Sequence, residues 1–302
     1  MEPQLPKLTS QRRARRARRI QRIVSLSIGL VITLAVVSIV VAYAVSESRL
    51  NETFSIEREQ LVLASELLDV ARGERLVRGA LRCTECHGKD LGGRIIVDTE
   101  IGRVAAPNLT RGKGGLGATL TDSDWVRALR HGVGRDEKGL WMMPTRRFAH
   151  LQDQDIADVI GYVQTVSPVD RQSEVSHLGL LGRLVHALGK LELIDPQTEG
   201  KHRAAGPAEN EVSMGGHIAR LSGCDTCHGD DFRGGGDGMG SDLIEGAFSA
   251  WTLDDFVKAM RQGIRPDSQA MSDAMPWPEI GRLSDDELKH LFVYLRSLGA
   301  AQ

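Results

Sequence analysis

A chain of 302 residues is too long for one small domain and suits two compact ones with additional segments. The formal net charge of -2 conceals an asymmetry: residues 1–22 hold eight Lys/Arg against Glu2, a balance of +7, so the remaining 280 residues carry -9. Basic charge confined to one end, with no aromatic residues among the arginines for base stacking, excludes nucleic acid as an expected partner.

The basic N-terminus (1–22) is read as cytoplasmic, because the next 24 residues (23–46) carry no formal charge. At about 1.5 Å rise per residue they exceed a hydrocarbon core of roughly 30 Å. Arginines placed just before such a span keep the N-terminus inside and the rest of the chain on the far side of a cytoplasmic membrane. A core helix would carry a polar face, which is absent. A cleaved signal peptide has some support in Ala42-Tyr43-Ala44, but the apolar run exceeds the roughly 7–15 residues of a signal core. The reading is a retained transmembrane helix in the lipid bilayer, followed by a helical stalk (47–68).

A first domain is expected over 69–170, a connector over 171–210 and a second domain over 211–302. Within the connector, Leu181, Leu184, Val185 and Leu188 recur at helical spacing and are expected to pack on a neighbouring domain. The two domains are an internal repeat. Leu151-Gln152-Asp153-Gln154-Asp155-Ile156 corresponds to Leu283-Ser284-Asp285-Asp286-Glu287-Leu288, Tyr162 to Tyr294 and Met143-Pro144 to Met275-Pro276, all at a shift of 132. Upstream, Asp124-Trp125-Val126 matches Asp255-Phe256-Val257 at a shift of 131. Each domain reads as three helices joined by glycine-rich loops, with no convincing strand alternation, so the fold class is all-α.

All four cysteines lie in C-x-x-C-H pentads, Cys83-Thr84-Glu85-Cys86-His87 and Cys224-Asp225-Thr226-Cys227-His228. This is the attachment sequence of c-type haem: two thiols bond the vinyl groups and the adjacent histidine stands under the iron. A zinc site would bring its CxxC pairs to about 15–20 residues, whereas these are 141 apart. A thioredoxin-like motif needs a βαβ context, and a plain disulfide leaves both histidines unexplained.

Beyond the pentads, Gly73-Glu74-Arg75-Leu76, Gly88, Pro107-Asn108-Leu109-Thr110, Met143-Pro144 and Tyr162 stand in order, followed in the second domain by Gly216, Gly229, Met275-Pro276-Trp277 and Tyr294. In these landmarks the chain resembles the cytochrome c family over 69–170 and 211–302. The resemblance implies a small helical haem-wrapping fold, in which Pro107 accepts a hydrogen bond from the proximal imidazole. The second domain has Gly240-Ser241-Asp242-Leu243 at that place, which puts the bond's geometry in question.

His87 and His228 are the expected proximal ligands. Met143 and Met275 are the expected sixth ligands, because they match between the repeats while Met142 pairs with Ala274 and Met271 with Gly139. Met142 and Met271 are read as core filler. The remaining histidines are read as surface or structural, with His131 and His150 in reserve for the first haem.

Two six-coordinate haem c groups leave no open site for a small-molecule substrate. The expected work is one-electron transfer between redox proteins on the outer face of the membrane, not catalysis. A cytochrome subunit of a larger dehydrogenase or oxidase is the alternative. A dihaem peroxidase-type enzyme is disfavoured by the matched methionines. The second domain has eight Lys/Arg and fifteen Asp/Glu, so a basic partner is expected to be steered towards it.

Overall fold

The computed structural model describes residues 5–57, 59, 61, 68–196, 210–235 and 240–300. The first helix, α1 (Leu5–Leu50), is continuous through the uncharged stretch, and that stretch touches no other part of the protein until its end. It is long and apolar enough to cross a membrane. In hydrocarbon a helix satisfies every backbone group internally, which is why so apolar a run is stable only in this form.

The expected helical stalk ends at Leu50. From there the chain turns back onto the first module: Phe54 donates its N–H to the Glu137 carbonyl at 2.8 Å, and Thr53 bridges Lys138. Glu59 binds Arg130 and His131. The rest of the stalk, residues 58, 60 and 62–67, lies outside the described residues.

The first module contains α2 (Val70–Arg75), α3 (Cys83–His87), β1 (Arg94–Thr99), β2 (Gly102–Ala106), α4 (Asp122–Val126), α5 (Thr145–Phe148) and α6 (Asp153–Thr165). Asp69 caps α2 by accepting from the Arg72 N–H at 2.8 Å, and Thr121 with Asp124 forms a capping box on α4. Beyond α6 come β3 (His177–Leu178) and α7 (Leu180–Ala187). The second module contains α8 (Glu211–Ser222), α9 (Cys224–His228), a 3₁₀ turn (Gly246–Ala250), α10 (Leu253–Gln262), α11 (Trp277–Ile280) and α12 (Asp285–Ala300).

The fold is mostly helical, as expected, with one addition. The first module has a small antiparallel sheet in the order β1-β2-β3. Its signal in the sequence was short: Val104, Ala106 and Gly102 alternate with half-buried Arg103 and Ala105, while β1 is largely exposed. The third strand comes from the connector, so residues 171–195 are part of the first module's packing. Asn108, fully buried, donates through its Nδ2 to the carbonyls of Val169 at 2.7 Å and Arg171 at 3.1 Å. Trp141 bridges Ile194.

In each module the first and last helices cross at a glycine. A Cβ on Gly73 would stand 2.0 Å from the Asp158 carbonyl oxygen, and one on Gly215 2.0 Å from that of His290. The backbone crossing therefore falls at Gly215, while Gly216 faces the Tyr294 ring. Gly73 lies ten residues before Cys83 and Gly215 nine before Cys224. The extra residue is absorbed by Leu76–Ala80, where the helix widens into a π turn; α8 stays α-helical throughout.

With that residue allowed for, Arg75 and His217 occupy equivalent places, and so do Asp155 and Glu287. The structure pairs them crosswise: His217 donates to Asp155 at 2.7 Å and Arg75 to Glu287 at 2.9 Å. In the same sense α5 packs on α8, and α11 packs on the π turn. The modules thus meet about a pseudo-two-fold axis, and their buried apolar residues form one continuous core.

Candidate haem-binding sites

Each pentad forms one helical turn entered through a left-handed residue. In the second module this is Gly223 (φ 68°), a conformation glycine adopts without cost; in the first it is Arg82 (φ 54°), which carries the strain of a Cβ there. The turn buries His87 and His228 equally, at 8% exposure.

Behind each histidine the chain makes the same circuit. Gly93 donates its N–H to the His87 carbonyl and Gly234 to the His228 carbonyl; Leu109 donates to Leu91, and Leu243 to Phe232. This circuit brings the Pro107 carbonyl 2.8 Å from His87 Nδ1 and the Ser241 carbonyl 2.7 Å from His228 Nδ1. The acceptor is a carbonyl in both cases, so Nδ1–H is the donor and Nε2 keeps its lone pair for a metal. Burial lowers the His87 pKa, with the Pro107 bond opposing it, and the imidazole is neutral as a ligand must be. The missing proline therefore costs the second site nothing in this bond.

Met143 and Met275 sit in matching places. Each precedes a proline and a one-turn helix, with the N–H of Thr145 or Trp277 closing on the methionine carbonyl at 2.8 Å. Both are half-buried against the core. Met142 is 47% exposed and is not core filler. Met271 is half-buried and lines the second site beside Met275. His131 is held by Glu59. His186 and His217 are structural, bonded to Ser46 and Asp155.

The second site is a cavity of 560 Å³ lined by Cys224, Cys227, His228, Met275 and aromatic and aliphatic side chains. Two polar atoms nearby are buried and without a protein partner, Ser222 Oγ and Arg82 Nε, and both residues line the cavity. An apolar cavity with a thiol pair, an imidazole, a thioether and unpaired polar atoms fits a haem with its polar edge groups. Among the described residues no cluster of three or more His, Cys, Asp or Glu could hold a bare metal ion, and no cysteine is in a disulfide. Burial pushes the Cys83 and Cys224 thiols up to about 12, which removes them as thiolate nucleophiles.

Sequence reasoning missed Arg147. Its guanidinium donates to the carbonyls of Leu81 at 3.3 Å and Ser222 at 3.2 Å. These carbonyls lie two residues before the first cysteine of each pentad. One cation thus bridges the two attachment turns, and a Cβ on Gly223 would collide with it. A charged residue in a short helix after Met-Pro carries no sequence signal for such a role.

Residues 70–167 match the family model for cytochrome c, and residues 215–295 match that for cytochrome c oxidase, cbb3-type, subunit III. The chain is a dihaem c-type cytochrome. The cytochrome is 30% identical over 143 residues to the cytochrome c subunit of a quinone alcohol dehydrogenase from Gluconobacter oxydans, covering 43% of this chain and 29% of that one. It is 27% identical over 269 residues to a gluconate 2-dehydrogenase cytochrome c subunit from Pantoea cypripedii, covering 76% and 60%. A dihaem cytochrome c-type protein from Cereibacter sphaeroides is 25% identical over 274 residues, covering 78% and 87%. The chain spans less than two thirds of the length of the two dehydrogenase subunits. Two covalently bound haem c groups are its cofactors.

Proposed function

We propose that this cytochrome is tethered to the cytoplasmic membrane by α1, with residues 1–22 inside and both haem modules on the outer face, and relays single electrons between redox partners. In this reading Cys83, Cys86, Cys224 and Cys227 attach the haems, and His87 with Met143 and His228 with Met275 are the axial pairs. Haem supplies a reversible one-electron couple. The protein's part is to fix the imidazoles through the Pro107 and Ser241 carbonyls, to present a thioether from each Met-Pro turn, and to exclude water. The observation that carries the proposal is the duplication of the whole proximal circuit, with a matching Met-Pro turn in each module. Two filled coordination spheres favour transfer over peroxidase chemistry.

Retention of α1 is supported by its packing. Tyr43 stacks under Arg183, with 4.1 Å from the guanidinium carbon to the ring centroid, and Ser46 bonds His186 at 3.0 Å. The named relatives favour a second reading, in which the protein is a dedicated subunit of a membrane dehydrogenase. Gentle solubilisation of native membranes separates the two: a dehydrogenase copurifying in fixed ratio supports the subunit, and a freely dissociating protein supports the carrier. Replacing both Cys83 and Cys86 by Ala should leave one haem by gel haem stain and mass. Retention of both would remove the first attachment site.

A further inference from the structure

The helix α7 is inverted. Its buried residues are Gly182 and His186, with Arg183 half-buried beside them, while Leu180, Leu181 and Leu188 are exposed at 55%, 53% and 76%. Of the four residues expected to pack on a neighbouring domain, Leu181 and Leu188 face away from the protein and Leu184 and Val185 are half-buried, while Gly182, Arg183 and His186 face in.

The inward side is fully used. Arg183 stacks on Tyr43 and binds Glu47 at 2.6 Å. His186 bonds Ser46, and Arg49 donates to the His186 carbonyl at 2.9 Å. A Cβ on Gly182 would collide with the Ile101 carbonyl, so the helix also lies tight against the β1–β2 turn. Ile101 on that turn is exposed too, at 43%.

These contacts advance together along α1 and α7: Arg183 meets Tyr43 and Glu47, and His186 meets Ser46 and Arg49. Leu180 and Leu181, one turn before Arg183, thus lie on the side of the apolar span. A hydrocarbon core of about 20 helical residues counted from Arg22 ends near Tyr43. Tyrosine and arginine at that level are what a membrane–water interface selects.

We propose that Leu180, Leu181 and Ile101 form a collar that inserts into the outer leaflet beside α1. This rests on the reading of α1 as a membrane anchor. Exposed leucines opposite a polar, protein-facing side give α7 the pattern of an interfacial helix. With α1 they make two non-collinear attachments. Together these set the tilt of the haem modules over the bilayer, where a single helix would leave them free to swing.

The test uses the full-length holoprotein in phospholipid vesicles without any partner, labelled with a charged maleimide. Leu181→Cys is compared with Val36→Cys in the span and Asp254→Cys on the second module, with the unsubstituted protein as background. All three side chains are exposed in the protein, so folding is not at stake. The expected result is slow labelling at Leu181→Cys, about tenfold or more below Asp254→Cys and close to Val36→Cys. Labelling as fast as at Asp254→Cys, with Val36→Cys protected, overturns the collar and leaves the anchor intact. Fast labelling at Val36→Cys overturns the anchor reading itself. Fast labelling in vesicles but protection in native membranes assigns the face to a protein partner and overturns the lipid proposal.

Discussion

The two modules reach one proximal geometry by loops of different length. From His87 to Pro107 the chain takes 20 residues and inserts a β-hairpin; from His228 to Ser241 it takes 13, with four of them outside the described residues. The bond to Nδ1 is 2.8 Å in one and 2.7 Å in the other. What is held constant is the circuit of backbone hydrogen bonds around the histidine. The side chain that closes it is free to vary, because a carbonyl is supplied by any residue. The crosswise pairs at the interface are less equal: Asp155 is fully buried, whereas Glu287 is 15% exposed.

The sharpest test of the equivalence is ligand exchange. Met143→His and Met275→His should each lower one of two potentials, since imidazole favours the ferric state more than thioether does. Met142→Leu should be silent because that side chain is exposed. A redox titration of each variant decides, and a silent Met275→His would move the second ligand to Met271.

The interface pairs should then break unequally. Burial alone would raise the Asp155 carboxyl, but its bond to His217, with the charges of His217 and Arg72, holds it below the usual range. Asp155→Asn should cost roughly 3 kcal/mol in denaturant unfolding. Glu287→Gln, in a partly exposed pair, should cost about 1 kcal/mol or less. A depressed carboxyl contributes stability that is present above its unfolded value, about 3.9, and is lost as pH falls through the folded one. The gap between Asp155→Asn and the parent should therefore close in acid. A gap that persists unchanged at low pH would assign the loss to packing instead.

Arg147 belongs to one module but serves both. Oxidised haem carries one more positive charge than reduced haem, so a half-buried guanidinium bridging the two turns raises both potentials. Arg147→Leu should lower the two together, and Arg147→Lys should largely restore them. A shift in one potential alone would place the cation's influence in a single module.

The smallest effect concerns the proline. Pro107→Ala keeps the carbonyl and should leave the first potential within titration error. A clear shift would mean that the ring, and not the bond it supports, sets the imidazole's basicity.

The pentads, the matched Met-Pro turns, the capped helices and the apolar span were legible in the sequence because each depends on neighbours within a few residues. So was the repeat, including the change of its shift from 131 to 132. The chain alone did not reveal what joins distant segments. Backbone bonds carry no side-chain signature, so the Ser241 carbonyl could not be foreseen, nor could the strand that the connector adds to the first module. The equivalence of Arg75 and His217 was hidden by one residue that a π turn absorbs. The leucines of α7 had a helical period in the sequence, but period gives a face and not its direction. That direction was decided in three dimensions, where Tyr43, Ser46 and Glu47 claim the polar side of the helix and leave Leu180, Leu181 and Leu188 outward.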